Sequence, residues 1–173
     1  LYPHLIMQYN ISPETLVAQD KVKDMTVDKL LNKEVDTSIL KGVTITPNGA
    51  LFKTTQRGFL PEIMQTMYDD RVKYKKLMLQ AKQDYENTKN PKLLKDISRF
   101  NNIQMAKKIS LNSAYGAIGN NWFRYYDLLV AEAITTSGQL SIRWIESAVN
   151  EYLNGLLKTC LLYTSPSPRD DPL

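Results

Sequence analysis

The sequence predicts a mainly α-helical fold with a small β-hairpin, dominated by two long antiparallel helices. The two helical segments meet at a short turn around Asn90 and Pro91, because proline disfavours helix at the residue before it. Asn48 and Gly49 lie between two short runs rich in β-branched and apolar residues, which is the strongest local signal for a β-hairpin. A third long helical segment covers 128–157, so helices account for most of the chain.

The first part of the chain is predicted to be largely irregular. The apolar and aromatic segment 1–10 indicates the end of a strand that runs into a short helix. Ser12 followed by Pro13 is typical of a helix start, with serine as the N-cap and proline in the first turn. The polar segment 20–41 predicts a loop with one short helix, and segment 42–54 is the predicted β-hairpin.

The two long helices form the largest predicted unit. The proline and glutamate at 61–62 favour a helix start, and this helix extends to about Glu86. The second helix runs from Lys92 to Tyr115, and Gly116 is expected to end it, since glycine is common just beyond a helix C-terminus. Helices joined by so short a turn pack side by side in antiparallel orientation.

The last predicted helix carries an apolar stripe with spacings of 4, 3 and 4 residues, which is the pattern of a face that packs on a core. Trp122, Phe123 and Trp144 are also interpreted as core residues, with stacking of Trp122 on a nucleic-acid base as the alternative. The residues of the stripe are Ile145, Val149, Tyr152 and Leu156.

Composition excludes several classes of protein. The hydrophobic share of 43% is that of a globular chain. No run of about 18 apolar residues is present, so we expect no transmembrane helix and no membrane partner. The start lacks the pattern of a signal peptide, and the single cysteine, Cys160, excludes a disulfide framework. These features favour a cytoplasmic location.

Positive charge is concentrated in the predicted helical hairpin. Segment 68–108 holds eleven Lys or Arg and five Asp or Glu, which gives +6. The whole chain has a formal net charge of +4, so the remainder is −2. Such a segment favours contact with phosphates, and a solvated lysine-rich helix pair is the alternative.

The spacing within the hairpin brings cations together. If the turn centres on Asn90, Arg71 lies 19 residues before it and Lys108 lies 18 after it, so both should face each other at one height. That height is roughly 28 Å from the tip, and Lys75 is one turn from Arg71 on the same face. Neighbouring helices pack about 8–10 Å apart, so these charges are costly unless an anion binds among them, close to Asn112. The sequence therefore predicts a polyphosphate site at the root of the hairpin, which is the end of the two helices opposite the Asn90 turn.

Segment 108–116 reads Lys-x-x-x-Asn-Ser-x-Tyr-Gly, and this motif resembles the central motif of family B DNA polymerases. The opening Leu1-Tyr2-Pro3 resembles the end of the first palm motif of that family. Segments 10–15, 47–49 and 120–127 resemble the branch found in large tailed phages. These motifs occur in the order of the family, so the chain is identified as a member over residues 1–159.

The resemblance implies a division into domains. Residues 1–57 would be part of the palm, 58–119 the helical fingers hairpin, and 120–159 the continuation of the palm. Residues 160–173 are expected to be a non-native tail. This segment holds three of the eight prolines, and one choice of codons for most of it spells a sequencing-library adapter.

The resemblance also implies a site for the incoming nucleotide. Arg71 and Lys75 match the phosphate-binding cations of the first fingers helix. Lys108 and Asn112 match those of the second helix, and Lys108 is the catalytic candidate.

The remaining implied site residues contact the sugar and the base pair. Leu1 and Tyr2 match the nucleotide site of the family, and Tyr2 is similar to its sugar gate, a ring that leaves no room for a 2′-hydroxyl. Ser113, Tyr115 and Gly116 match residues that face the nascent base pair, where shape can be checked without reading sequence.

The family implies two Mg²⁺ ions about 4 Å apart as cofactors. One metal-binding Asp would lie four residues before Leu1-Tyr2-Pro3, and the other would lie in a later Asp-Thr-Asp motif. Neither position exists in this chain, so we assign no metal ligand and expect this fragment alone to be inactive. The complete enzyme would be a DNA-directed DNA polymerase whose partners are template–primer DNA and deoxynucleoside triphosphates, together with a sliding clamp and other replisome proteins.

Two other functions fit parts of the sequence. A non-catalytic, basic helical hairpin that binds nucleic acid would explain the charge, but it would not explain Leu1-Tyr2-Pro3 or the ending of the motif at 112–116. A coiled-coil spacer would need an apolar heptad through both helices, which the polar stripe of Lys108, Asn112 and Tyr115 interrupts.

Overall fold

The computed structural model describes residues 1–17, 22, 24–37 and 40–159. Within these ranges it contains five α-helices, one 3₁₀ helix and one two-stranded antiparallel sheet, so the predicted fold class is confirmed. The expected tail at 160–173 lies outside the described residues. The elements are α1 (Tyr2–Tyr9), the 3₁₀ helix (Pro13–Thr15), α2 (Val27–Leu31), β1 (Val43–Ile45), β2 (Leu51–Lys53), α3 (Phe59–Thr88), α4 (Lys92–Ile118) and α5 (Leu128–Thr159).

Helix α1 begins directly at Tyr2, so the strand expected at the start of the chain is not observed. Pro3 lies in its first turn, where a missing N–H removes no helical hydrogen bond. Leu5 and Ile6 are buried against the core. The helix ends at Asn10, which adopts the left-handed conformation (φ 55°) that asparagine tolerates better than most residues.

The predicted β-hairpin is confirmed. Residues Val43, Thr44 and Ile45 pair with Lys53, Phe52 and Leu51 respectively. Gly49 has φ 86° in the connecting turn, a conformation that glycine adopts without strain.

Helices α3 and α4 form the predicted antiparallel hairpin. The observed start of α3 and the observed end of α4 differ from the predicted ones. Helix α3 starts at Phe59, two residues earlier than expected. Helix α4 continues to Ile118, so Gly116 lies inside it and Gly119 takes the C-cap position. The prediction that Gly116 ends the helix is wrong, because glycine weakens a helix interior by only about 1 kcal/mol and does not by itself stop it.

The hydrophobic core lies where the root of this hairpin meets α1, the sheet and the first half of α5. Phe52 is fully buried and links the sheet to the helices. The core cluster comprises Ile6, Ile11, Ala50, Phe52, Leu60, Met64, Leu111, Ile118, Val130, Ala133 and Ile134.

The second half of α5 does not pack as predicted. The four residues of its apolar stripe are between 46% and 66% exposed. Trp122, Phe123 and Trp144 are 95%, 39% and 62% exposed, so their assignment to the core is wrong. Among the described residues, α5 contacts mainly α1, α2 and α4, and an ion pair of 2.6 Å joins Asp28 of α2 to Arg143 of α5. These contacts do not cover the apolar stripe of its second half. None of the described helices combines the length and hydropathy that crossing a bilayer requires.

Candidate functional site

The structure brings two of the predicted site residues into direct contact. Tyr2 is the first residue of α1, and Tyr115 lies near the end of α4. Their rings are stacked, with centroids 4.5 Å apart and planes inclined by 25°. Tyr2 as a whole residue is still 37% exposed, so the stacked pair lies at the surface of the described part of the chain.

Helix α5 supports the Tyr2 ring from behind. A Cβ added to Gly138 would lie 3.2 Å from Tyr2 Cε1 and 3.8 Å from atoms of Leu1 and Leu5. The ring is therefore confined by the Tyr115 ring on its face and by the α5 backbone at its edge. Leu1 lies beside Tyr2 at this point and is exposed.

The register of the hairpin places the predicted cations at nearly one level. Lys107 Nζ lies 2.7 Å from the Asp70 carboxylate on the facing helix. Arg71 is one residue closer to the tip than Asp70, and Lys108 is one residue closer to the root than Lys107. The two residues are therefore offset by about 3 Å along the axes.

The local charge balance leaves three of these cations without a carboxylate. Among the residues that the structure describes, no ion pair involves Arg71, Lys75 or Lys108. Arg71 is half-buried, and its Nε is buried without a hydrogen-bond partner, whereas Lys75 and Lys108 are exposed. The root of the hairpin thus keeps an unneutralised positive charge that suits an anionic ligand.

The carboxylate of Asp70 forms its ion pair with Lys107 and with none of these three cations. The hydrogen bond from Lys107 and the charge of the same ammonium hold the pKa of Asp70 below its ordinary value. Asp70 is therefore ionised at neutral pH, and its ion pair with Lys107 joins the two helices. Sequence reasoning missed this pair, because Asp70 lies 20 residues before Asn90 and Lys107 lies 17 after it, so equal counting from that turn does not align them.

The polar stripe on α4 leads from the cations to the aromatic pair. Lys108 is seven residues, about 10 Å, from Tyr115 along the helix. Asn112 lies between them, and Ser113 is its neighbour in sequence; both are exposed. Gly116 is exposed as well, and a Cβ added there would meet nothing within 4 Å, so this surface is open.

Sequence reasoning also missed a polar arrangement at the start of α3. Side chains from segment 10–14 bind the first main-chain amides of that helix. Ser12 does hold the N-cap position of the 3₁₀ helix, but its hydroxyl does not cap it and reaches Leu60 instead. These contacts join residues 45 to 48 positions apart, so no local pattern announces them.

The described residues do not fit a metal centre. In 1–17, 22, 24–37 and 40–159, no three His, Cys, Asp or Glu side chains lie close enough together to hold a metal ion. We therefore derive no chemical step through a metal from this chain.

A family model of DNA polymerase family B matches residues 1–169, a range that includes part of the expected tail. The DNA-directed DNA polymerase of Escherichia phage RB69 is 32% identical over 92% of this chain. The enzyme of the same name from Enterobacteria phage T4 is 31% identical over 92% of this chain. The chain spans 22% of the length of each of these two relatives.

The likeness extends to cellular enzymes and to three-dimensional structure. The DNA polymerase delta catalytic subunit of Arabidopsis thaliana is 30% identical over 87% of this chain and 12% of its own length. A family B DNA polymerase from the archaeon Pyrobaculum calidifontis superposes on 90% of this chain and 17% of its own, with a TM-score of 0.57 and 26% identity. Sequence and structure thus agree, and the chain belongs to DNA polymerase family B.

Proposed function

We propose that this chain is part of a DNA-directed DNA polymerase and supplies the site for the incoming deoxynucleoside triphosphate. The α3–α4 hairpin, within 58–119, is the fingers domain, and residues 1–57 and 120–159 belong to the palm. The observation that carries this proposal is the stack of Tyr2 on Tyr115 at the end of a polar stripe. That stripe leads to cations that have no carboxylate partner among the described residues.

The phosphates bind at the cations of the hairpin root. Arg71 and Lys108 lie at nearly the same level on facing helices, and Lys75 is one turn further along α3. Asn112 adds an amide that donates to a phosphate oxygen. A triphosphate bound here replaces the carboxylates that these cations lack among the described residues.

The sugar and the base bind at the aromatic end of the stripe. Tyr2 forms the floor below the sugar, and its ring leaves no room for a 2′-hydroxyl, with Leu1 beside it. Ser113, Tyr115 and Gly116 face the nascent base pair. The absence of a side chain at Gly116 keeps this surface flat, which allows the shape of the pair to be tested without base-specific contacts.

Lys108 is the residue that we assign to the chemical step. Negative charge grows on the leaving pyrophosphate as the bond to the α-phosphate breaks, so a fixed cation there stabilises the transition state more than the ground state. The ammonium also has a proton to give to the leaving group, which a guanidinium does not readily release.

The complete enzyme has partners that this chain does not hold by itself. We expect two Mg²⁺ ions, template–primer DNA, a sliding clamp and other replisome proteins, with the work done in the cytoplasm of a phage-infected host. The described residues do not fit the metal centre, so we expect the isolated chain to be inactive.

The test is Lys108→Ala in the complete polymerase. We expect the single-turnover rate of incorporation to fall by roughly 10²-fold or more, the typical cost of losing a positioned acid or an electrostatic stabiliser. Affinity for template–primer DNA should change little. Partial recovery in Lys108→Arg would show that charge alone accounts for part of the effect.

Lys95→Ala is the matched control. Lys95 is also an exposed lysine of α4, but it lies 13 residues, about 20 Å, closer to the tip. Its removal should leave the chemical rate unchanged. A Lys108→Ala enzyme with weaker DNA binding and a normal chemical rate would show that Lys108 is an ordinary backbone contact.

A further inference from the structure

Helix α3 is capped by a distant part of the chain. Its N-cap residue is Gly58, which has no side chain to satisfy the free amides at a helix start. Three consecutive amides at this point donate instead to side chains of segment 10–14. The bonds are Gly58 N to Asn10 Oδ1 (2.9 Å), Phe59 N to Glu14 Oε1 (2.5 Å) and Leu60 N to Ser12 Oγ (3.4 Å).

The acceptors of this arrangement, which we call the mount (Asn10, Ser12 and Glu14), are themselves held in place. The Ser12 hydroxyl donates to Glu14 Oε2 at 2.6 Å, so the two side chains fix each other. The Asn10 amide nitrogen donates to the carbonyls of Lys53 and Gln56 at 2.6 and 2.8 Å. The mount therefore ties the end of α1 to the end of β2 and to the start of α3.

Gly58 permits the close approach on which the mount depends. A Cβ at this position would lie 2.6 Å from Ser12 Cβ and 3.1 Å from Thr15 Cγ2. Neither neighbour is the far end of a flexible side chain, so any larger residue would push α3 away from segment 10–15.

The mount also has the charge that a helix start prefers. The amides at the start of a helix carry partial positive charge, and α3 is 30 residues long. A carboxylate that accepts from such an amide makes a charge-assisted bond, which is stronger and more directional than one between neutral groups. Glu14 supplies the only carboxylate of the mount, so its loss should weaken the attachment of α3 most.

We propose that Asn10, Ser12 and Glu14 are positioning residues that set the angle of the α3–α4 hairpin relative to α1. Because α1 carries Tyr2 and the hairpin carries Arg71, the mount fixes the distance between the two halves of the nucleotide site. This inference rests on the proposed function, since it assumes that both halves bind one ligand.

The length of α3 makes the site sensitive to the mount. Arg71 lies 13 residues beyond Gly58, which is about 20 Å along the helix. A tilt of about 3° at the mount therefore moves Arg71 by about 1 Å. Misplacement of a binding group by about 1 Å lowers catalytic rates by up to about 10²-fold.

The test compares Glu14→Ala and Glu14→Gln in the complete polymerase, at a temperature where both are folded. For Glu14→Ala we expect the efficiency of nucleotide incorporation in single turnovers to fall about tenfold, with template–primer affinity changed less than about twofold. Glu14→Gln should recover part of the rate, because its amide oxygen still accepts from Phe59 N and its NH₂ donates to Ser12, whereas the charge of the carboxylate is lost. Glu62→Ala is the control, since it removes a first-turn acid of α3 that takes no part in the hydrogen bonds of the mount described above.

Gly58→Ala perturbs the contact between the mount and the start of α3 without removing any hydrogen-bonding group. It should reproduce the loss seen in Glu14→Ala, because the added methyl forces α3 away from Ser12. Gly155→Ala, where an added Cβ meets nothing within 4 Å, should behave as the unaltered enzyme. If Glu14→Ala does not fold, Ser12→Ala takes its place, because it removes one hydroxyl only. It should also lower the efficiency of nucleotide incorporation, but by a smaller factor than Glu14→Ala.

Amide hydrogen exchange at Phe59 and Leu60 separates failure of this inference from failure of the proposed function. Faster exchange with an unchanged incorporation rate in Glu14→Ala, alongside a slow Lys108→Ala enzyme, would overturn the positioning role and leave the nucleotide site in place. A normal rate in both variants would instead overturn the nucleotide site itself.

Discussion

Gly138→Ala tests whether the position of the Tyr2 ring matters for the use of nucleotides. The new Cβ would lie 3.2 Å from Tyr2 Cε1. Carbon atoms in favourable contact are about 3.5–4.0 Å apart, so the ring edge must move by about 0.4 Å. Tyr115 is stacked on the ring face, so the ring slides along that surface instead of turning away.

The effect on rate follows from this displacement. If about 1 Å costs about 10²-fold, then 0.4 Å costs about sixfold in the efficiency of deoxynucleotide incorporation. Stability should change little, because alanine favours a helix over glycine by about 1 kcal/mol and overpacking at this site costs about as much. Under the proposed gate role of Tyr2, the complete polymerase should continue to exclude ribonucleotides, because the ring is still present.

The assay is single-turnover incorporation of matched deoxynucleotides and ribonucleotides by the complete polymerase, with Gly155→Ala as the control on the same helix. Gly155 has open space around it, so this variant reports only the effect of alanine on the helix. Should the two variants show equal efficiency and equal sugar discrimination, the support of Tyr2 by α5 would have no bearing on the site.

Two further predictions concern the same region. Tyr2→Ala should raise ribonucleotide incorporation and largely spare deoxynucleotide use, since the ring below the sugar is removed; unchanged sugar discrimination in steady-state kinetics would remove the gate assignment. Lys107→Met should destabilise the hairpin at neutral pH. The folded-state pKa of Asp70 is held below its ordinary value of 3.8, so the stabilisation is complete above that value and is lost as pH falls through the lowered pKa. The difference in melting temperature between the unaltered protein and Lys107→Met should therefore shrink in acid. A difference that persists in acid would assign the effect to lost packing of the lysine stem.

The helical hairpin could be predicted from sequence because its signals are local and agree with one another. The turn at Asn90 and Pro91 separates two segments of helical character, and counting from that turn gives an approximate register. The contact between Asp70 and Lys107 shows that the helices face each other, with a register three residues from the one that equal counting gives. The β-hairpin was equally accessible, since Asn48 and Gly49 mark its turn.

The end of α4 was less predictable because its prediction depended on a single residue, Gly116. Gly116 has the chemistry of a helix stop, but two further residues continue the helix and Gly119 ends it. Glycine costs a helix about 1 kcal/mol, and that cost is small compared with what tertiary packing supplies. Ile118, which is buried in the core, shows where that packing acts.

The α5 stripe and the mount show the two limits of reading function from sequence. Periodicity identifies an apolar face, but whether the face is covered depends on what packs against it, and the described residues leave Ile145 and Tyr152 exposed. The mount fails prediction for the opposite reason: all of its members are present, but their hydrogen bonds join residues about 45 positions apart. Ser12 and Glu14 have the composition of a helix start and do cap a helix. That helix is α3, which begins far along the chain, and only the folded structure makes them neighbours.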